Sequence, residues 1–307
     1  MKLLIVNFHY IRDEAYAGGI YPRTFRELTD QVDALSRHYQ FIAPRELATM
    51  VAGNPREGNF CLLTFDDGLK EQMTALELLE RKGVPAAFYV TTAPIRDHTV
   101  ADVHKLHHIR SVVSDTQLYD FIGQRMDLSA VTYPENIDSL YRYDPPQSKR
   151  LKYLLNFILT AEEKDRIVGM LFAEIADEAA YSKSLYMDGN DLRKLSSLNY
   201  LGAHSDAHLP LATLSEKAIR QDTEACLDFL QEQSGTQTFH SISYPFGGPK
   251  AVSQTVADIS ASYGFSFGLT MFRGINEISD LETPFLLKRV DTNDAPGGKS
   301  GSTEYCI

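Results

Sequence analysis

Two short runs hold the residues best suited to chemistry. "TFDDG" sets Asp66 and Asp67 side by side behind the apolar run "CLLTF", and "HSDAH" places His204 and His208 four positions apart. Adjacent acids at the end of a buried strand repel each other, so the pair is costly unless something of opposite charge stands beside it. Two imidazoles and one carboxylate form a facial triad that leaves positions open on zinc, cobalt, nickel or iron. If Asp67 is the third ligand, the dication neutralises its charge. Asp66 then stays ionised beside it, able to accept a proton from water. Each run alone has a plainer reading. An Asp-Asp-Gly after a strand is more often a turn that caps a helix, and "HSDAH" is equally a pair of surface histidines. If that segment is helical, the two histidines share a face. It is not the zinc-protease arrangement, because glutamate is missing from the second position, so the base must come from elsewhere.

The elements around these runs alternate. "KLLIVNF" leads into "TFRELTDQVDALSRHY", where Phe25, Leu28, Val32 and Leu35 fall on one helical face. "CLLTF" leads into a helix that stops at Gly83, and "PAAFYVT" follows. Later come "LNYLGAH", a long helix whose Thr213 and Glu216 have capping-box spacing, "SISYPFG", "AVSQTVADISASYG", "FSFGLTM" and "FLLKRVD". Strand-helix alternation predicts a parallel α/β sheet covered by helices, open or closed into a barrel. In such folds the strand C-termini share one face. Topology alone therefore gathers His9, Asp66, Asp67, His204, His208, Pro245, Phe246, Arg289 and Asp291.

Residues 95–186 break the rhythm and read as a mainly helical insertion, a lid or substrate wall between barrel parts 1–94 and 187–295. Residues 296–307 read as a flexible tail. Within the insertion, His104, His107 and His108 raise the question of a second metal, against which stands a helix face turned inward or to water. Substrate contact by His104 or Lys105 is the stronger reading. Tyr133, Tyr141 and Tyr143 either stack on sugar rings or pack the insertion. Lys149, Arg150 and Lys152 suit a phosphate of a nucleotide-linked or lipid-linked sugar, though a solvated helix face is commoner.

At 307 residues, with 43% hydrophobic and 23% charged residues, the chain has the composition of a soluble globular protein. Its net charge of −11 disfavours nucleic acid and anionic lipid as partners. No stretch is long enough to span a membrane. Cys61, Cys226 and Cys306 lack metal-type spacing and suit reduced thiols, and "MKLLIVNFHY" reads as a strand, not a leader. The expectation is a cytoplasmic location.

With these residues located, the chain resembles the polysaccharide deacetylases of the NodB-homology type, carbohydrate esterase family 4. "TFDDG" matches the first motif, "HSDAH" the second, and "SYPFGG" a variant third in which a Pro-aromatic-Gly turn follows a strand. "NFHYIRDE", the helix after it and "LLKRVD" are similar to the poly-N-acetylglucosamine deacetylase branch. The match covers roughly residues 1 to 94 and 187 to 292. The resemblance implies a distorted (β/α)7 barrel and one divalent ion, zinc first with cobalt or nickel as alternatives, held by Asp67, His204 and His208. It implies Asp66 as general base and the Phe246 backbone N–H as oxyanion donor. Two departures stand out. Ser243 occupies the place of the usual third-motif arginine, for which Arg289 is the candidate substitute in orienting Asp66. No histidine lies beyond His240, so the acid role passes to His9, as in that branch. The activity implied is removal of an N-acetyl or other N-acyl group from an amino sugar. The substrate is nucleotide-linked, lipid-linked or oligomeric, and is expected to be a cytoplasmic precursor of surface polysaccharide. The competing readings are a metal-dependent amidohydrolase acting on a non-sugar amide or a formamide, and a catalytically silent sugar-binding barrel.

Overall fold

Seven apolar runs become the staves of a closed barrel. The computed structural model describes residues 1–14, 18–129, 131–135, 137–140, 145–234, 239–301 and 303–306. Its strands are β1 (Lys2–Phe8), β2 (Gln40–Phe41), β3 (Asn59–Phe65), β4 (Ala86–Val90), β5 (Leu201–Ala203), β6 (Ser241–Ser243), β7 (Phe267–Arg273), β8 (Asn276–Glu277) and β9 (Leu287–Asp291). Strands β1, β3, β4, β5, β6, β7 and β9 pair in that order, all parallel, and β9 returns to β1 to close the ring. The chain is thus the α/β barrel of seven parallel strands that the resemblance implied. Short β2 adds in parallel to β3 and β8 adds antiparallel to β1. Register pairing of β1 with β3 runs from Lys2↔Asn59 to Phe8↔Phe65, so His9 and Asp66 leave their strands at one level.

Side chains alternate across each stave, as the two-residue period of a strand requires. Leu3 and Ile5 meet Leu62, Ala87, Tyr89, Phe267, Leu269 and Leu287 in the barrel interior. Leu4, Val6 and Phe8 face the other way, with Leu63, Phe65 and Phe88, towards the helices. There Phe8 stacks on Phe65 at 5.0 Å and Phe65 on Phe88 at 4.8 Å. Towards the strand C-termini the interior positions turn polar, with Asn7, Thr64, Ser243 and Arg289 all buried.

Two units divide the chain: 1–13, 22–99 and 182–307 form the barrel, and 14–21 and 100–181 form the second. The barrel's early helices are α1 (Phe25–Leu35), α2 (Pro44–Val51), α3 (Gln72–Lys82) and α4 (Ala93–Asp97). Helix α1 buries Leu28, Val32 and Leu35 and is capped reciprocally by Thr24 and Glu27. Helix α3 ends at Gly83, whose φ of 67° is left-handed, as foreseen.

The second unit is helical, with α5 (Asp102–Val112), α6 (Asp115–Gly123), α7 (Ile137–Leu140), α8 (Pro146–Tyr153), a π-helical turn Leu154–Ile158 and α9 (Ala161–Ile175). Ser114 and Thr160 start α6 and α9 through capping boxes. Helix α10 (Glu178–Leu185) begins in this unit and ends in the barrel unit.

The remaining helices are α11 (Gly189–Ser197), α12 (Glu216–Ser234) and α13 (Gln254–Ser262). The capping box expected of Thr213 and Glu216 does not form. Thr213 belongs to a 3-10 turn and gives its hydroxyl to the Pro210 carbonyl at 2.8 Å, while the Ser215 hydroxyl accepts from the Ala218 N–H at 3.3 Å. In the segment read as a tail, Tyr305 is buried in the core and its carbonyl accepts the Tyr39 hydroxyl at 2.6 Å. Among the described residues, no helix is long and apolar enough to cross a membrane.

Candidate active site

Asp66 continues the inward alternation of β3, after Leu62 and Thr64. At Asp67 the backbone enters the left-handed region, with φ of 78° followed by 66° at Gly68. A Cβ at Gly68 would sit 3.0 Å from the Val90 side chain, so the turn needs glycine for both conformation and space. The "HSDAH" segment is a loop, so the helical condition for a shared face is not met. Ser205 and His208 take φ of 62° and 55°, and the Ser205 hydroxyl accepts the His208 N–H at 3.0 Å. Of the six non-glycine residues with positive φ among the described residues, Asp67, Ser205, His208 and Phe246 are four, so strain concentrates at this end of the barrel.

These turns bring three donors together. Asp67 Oδ1 lies 3.3 Å from His204 Nε2 and 3.2 Å from His208 Nε2. All three side chains are buried, and their ligand atoms lie within 4.8 Å of one another. A charge-assisted hydrogen bond would draw nitrogen and oxygen to about 2.7–2.9 Å. A tetrahedral cage with bonds of about 2.0–2.1 Å instead spaces neighbouring donors about 3.3 Å apart. The donor set and both measured edges therefore fit a divalent ion. His204 is already oriented for it. Its Nδ1 lies 2.7 Å from the Ser243 carbonyl, which only accepts, so the proton sits on Nδ1 and Nε2 is aimed at Asp67. In the metal-free site burial disfavours charge on this ring, but Asp66 and Asp67 outweigh it and raise its pKa. A dication held there would take over that counter-charge and compete with the proton.

Asp66 is held by a different set. Arg289 Nη1 donates to its Oδ1 at 3.0 Å, Arg289 Nη2 stands 2.9 Å from Oδ2, and the Ser243 hydroxyl donates to Oδ2 at 3.0 Å. Burial would push the carboxyl up, but Arg289 more than offsets it, with His204 and His9 adding, and the pKa falls below its ordinary value. Arg289 is 1% exposed and is fixed by the Thr270 carbonyl at 2.9 Å and Asn7 Oδ1 at 3.0 Å. The guanidinium thus reaches Asp66 from β9, while Ser243 on β6 serves both Asp66 and His204.

His9 follows β1, half-buried, and the Gln72 amide ties its carbonyl (3.0 Å) to that of Asp66 (2.7 Å). Phe246 sits in the "PFGG" turn with φ of 61°, its ring 55% exposed and edge-on to His208 at 5.1 Å. The turn is fastened by the Met271 N–H donating to the Gly247 carbonyl at 2.9 Å. His9, Asp66, Asp67, His204, His208, Phe246 and Arg289 therefore belong to one end of the barrel unit. Sequence reasoning missed Asp206, Thr92, Arg96 and Asp222, which brace the histidine loop. Asp206 shows only as an unassigned position inside "HSDAH", and Asp222 as one more acid on an amphipathic helix.

The other candidates lie in the second unit. Among the described residues, no second group of metal-type side chains converges. His104 is buried, and the His108 ring packs on Tyr181 at 4.3 Å and Phe172 at 5.8 Å. Lys105 pairs with Glu178 at 2.9 Å and Lys149 with Asp138 at 2.7 Å, and the Arg150 guanidinium lies 5.7 Å from the Tyr133 ring. Tyr133 shares a hydrogen bond of 2.8 Å with Tyr119. Tyr141 and Tyr143 lie outside the described residues.

No protein-family model and no curated protein matches the chain. Solved structures do. The chain is similar to the Streptococcus pyogenes deacetylase PplD in complex with acetate, at 17% identity over 99% of each chain with a TM-score of 0.56. It is similar to the BpsB deacetylase domain from Bordetella bronchiseptica, at 16% identity over 94% of this chain and 96% of that one, TM-score 0.54. IcaB from Ammonifex degensii gives 16% identity, coverage of 88% and 84%, and a TM-score of 0.52. At these identities the likeness is one of fold.

Proposed function

We propose that this chain is a metal-dependent N-deacetylase of the NodB type, acting on an N-acylated amino sugar. The observation that carries the reading is the buried Asp67, His204 and His208 cluster beside an Asp66 that Arg289 keeps ionised. The deacetylases sharing the fold, one of them solved with acetate, support it.

A divalent ion held by Asp67, His204 and His208, zinc first with cobalt or nickel as alternatives, would supply Lewis acidity and make water more acidic. The chain's own groups do the rest. The Asp66 carboxylate accepts the proton of the attacking water, and its low pKa keeps it ready to do so at neutral pH. Attack on the amide carbon leaves a negative oxygen, for which the Phe246 backbone N–H is the donor. His9 gives a proton to the amine nitrogen as the C–N bond breaks, releasing the carboxylate and the free amino sugar. Arg289 and Ser243 orient Asp66 throughout. Three unpaired cysteines, two of them buried, suit a reducing compartment, in keeping with a cytoplasmic precursor of surface polysaccharide as substrate.

The test is to incubate zinc-, cobalt- or nickel-loaded protein with free, nucleotide-linked and oligomeric N-acetylated sugars, and with simple amides and formamides. Acetate release from a sugar supports the reading. Release only from non-sugar amides or formamides makes the chain a different amidohydrolase, and sugar binding without release makes it a silent barrel.

A further inference from the structure

We propose that Asp222, on α12, is a positioning residue for the metal site, holding the loop between His204 and His208 at the spacing the ion requires. The inference rests on reading that cluster as a metal centre. The loop is not one the backbone adopts unaided, because Ser205 and His208 both lie in the left-handed region that residues with a side chain rarely visit. Something outside the loop must hold it. Asp222 does so from α12, one oxygen to each of two successive amides: Oδ1 accepts the Asp206 N–H and Oδ2 the Ala207 N–H, both at 3.0 Å. These amides lie between the two imidazoles, and hydrogen bonds to a carboxylate are roughly twice as strong as neutral ones.

The opposite side is braced separately. The Asp206 carboxylate accepts Thr92 Oγ1 at 2.6 Å and Arg96 at 2.7 and 3.1 Å, and the Ala93 N–H donates to the Asp206 carbonyl at 2.9 Å. The loop is therefore clamped between α4 and α12. The α4 side holds the Asp206 side chain and the Ser205 and Asp206 carbonyls, whereas Asp222 takes the two successive N–H groups that lead into His208. Groups that orient metal ligands in this indirect way commonly change affinity by about 10- to 100-fold when removed.

The experiment compares Asp222→Ala and Asp222→Asn with the unaltered chain by three readouts: zinc affinity from chelator competition, the visible spectrum of the cobalt form, and the melting temperature of the metal-free form. Asp222→Ala is expected to weaken zinc binding about 10- to 100-fold and to alter the cobalt bands. Asp222→Asn, keeping one acceptor, should fall between. Thr223→Val, at the adjacent buried position where the hydroxyl donates to the Ile219 carbonyl, controls for general damage to α12. It should shift melting without moving zinc affinity. Unchanged zinc affinity and cobalt spectrum in Asp222→Ala overturn the proposal, and if that variant does not fold, unchanged values in Asp222→Asn do so. Failure of the unaltered chain to bind zinc, cobalt or nickel overturns the metal reading itself, a separate result.

Discussion

Replacing Arg289 with methionine removes the guanidinium but keeps most of its volume, so the perturbation is one of charge. Asp66, 2% exposed, then loses both Arg289 contacts and keeps only the Ser243 hydroxyl. Breaking one side of a buried ion pair costs about 3–5 kcal/mol, since the survivor must stay charged without a partner or take up a proton. The sign with pH follows. In the unaltered chain the folded pKa of Asp66 lies below its unfolded value. Its contribution to stability is therefore complete above the ordinary carboxylate value of about 3.9 and is lost as pH falls through the folded value. Without Arg289, the largest influence opposing burial is gone and only His204, His9 and the Ser243 hydroxyl still resist it, so the folded pKa rises and the variant loses stability relative to the unaltered chain as pH climbs. Urea unfolding of the metal-free proteins should show a gap of about 3–5 kcal/mol at pH 7 that narrows as pH approaches 4. Acetate release should fall, with its acid limb displaced upward, because a protonated Asp66 cannot act as base. Asp66→Asn combined with Arg289→Met should recover most of the stability and none of the activity. A single variant within about 0.5 kcal/mol of the unaltered chain at pH 7 would refute the electrostatic account, because that is the range of substitutions away from such features. A gap that does not change with pH would refute it equally.

Three further outcomes are expected. His204→Ala should lose both bound metal and turnover, whereas His9→Ala should retain metal and lose about 10²- to 10⁴-fold in turnover; elemental analysis with acetate release separates them, and a fully active His9→Ala removes it from the mechanism. Because the metal-free His204 ring has a raised pKa, protons compete with the ion, and zinc affinity measured by competition should weaken as pH falls from 7.5 to 5.5; a flat profile would contradict this. Gly268→Ala places a methyl 2.2 Å from the Tyr244 hydroxyl, so it should destabilise the barrel by about 1–3 kcal/mol in urea unfolding and leave metal content unchanged.

The barrel was legible wherever a stave was long enough to print its burial on the sequence. "KLLIVNF" and "NFCLLTF" are seven residues each, buried on both faces except at the first position. Strands β2 and β8, at two residues apiece, carry no such signature and emerge only from pairing. The three candidate donors could be picked out because motif spacing is local. The route by which they meet could not, since left-handed turns at Ser205 and His208, rather than a helix face, carry out the convergence. Thr213 shows the limit of spacing rules: its hydroxyl found a nearer partner in the Pro210 carbonyl. The contacts of Asp66 with Arg289 and Ser243 span 223 and 177 positions, and such distance leaves no trace in a local pattern.

The closure of β9 onto β1 has a consequence for how such a chain can change over time. In a circle of parallel strands every end lies about equally near a common axis, so a job performed on that axis is open to applicants from any seat around it. The cation that steadies Asp66 here arrives from β9, whereas the resemblance pointed to the place that Ser243 occupies on β6. A duty performed on that axis can therefore be taken up from any point on the circumference while the point it serves stays put.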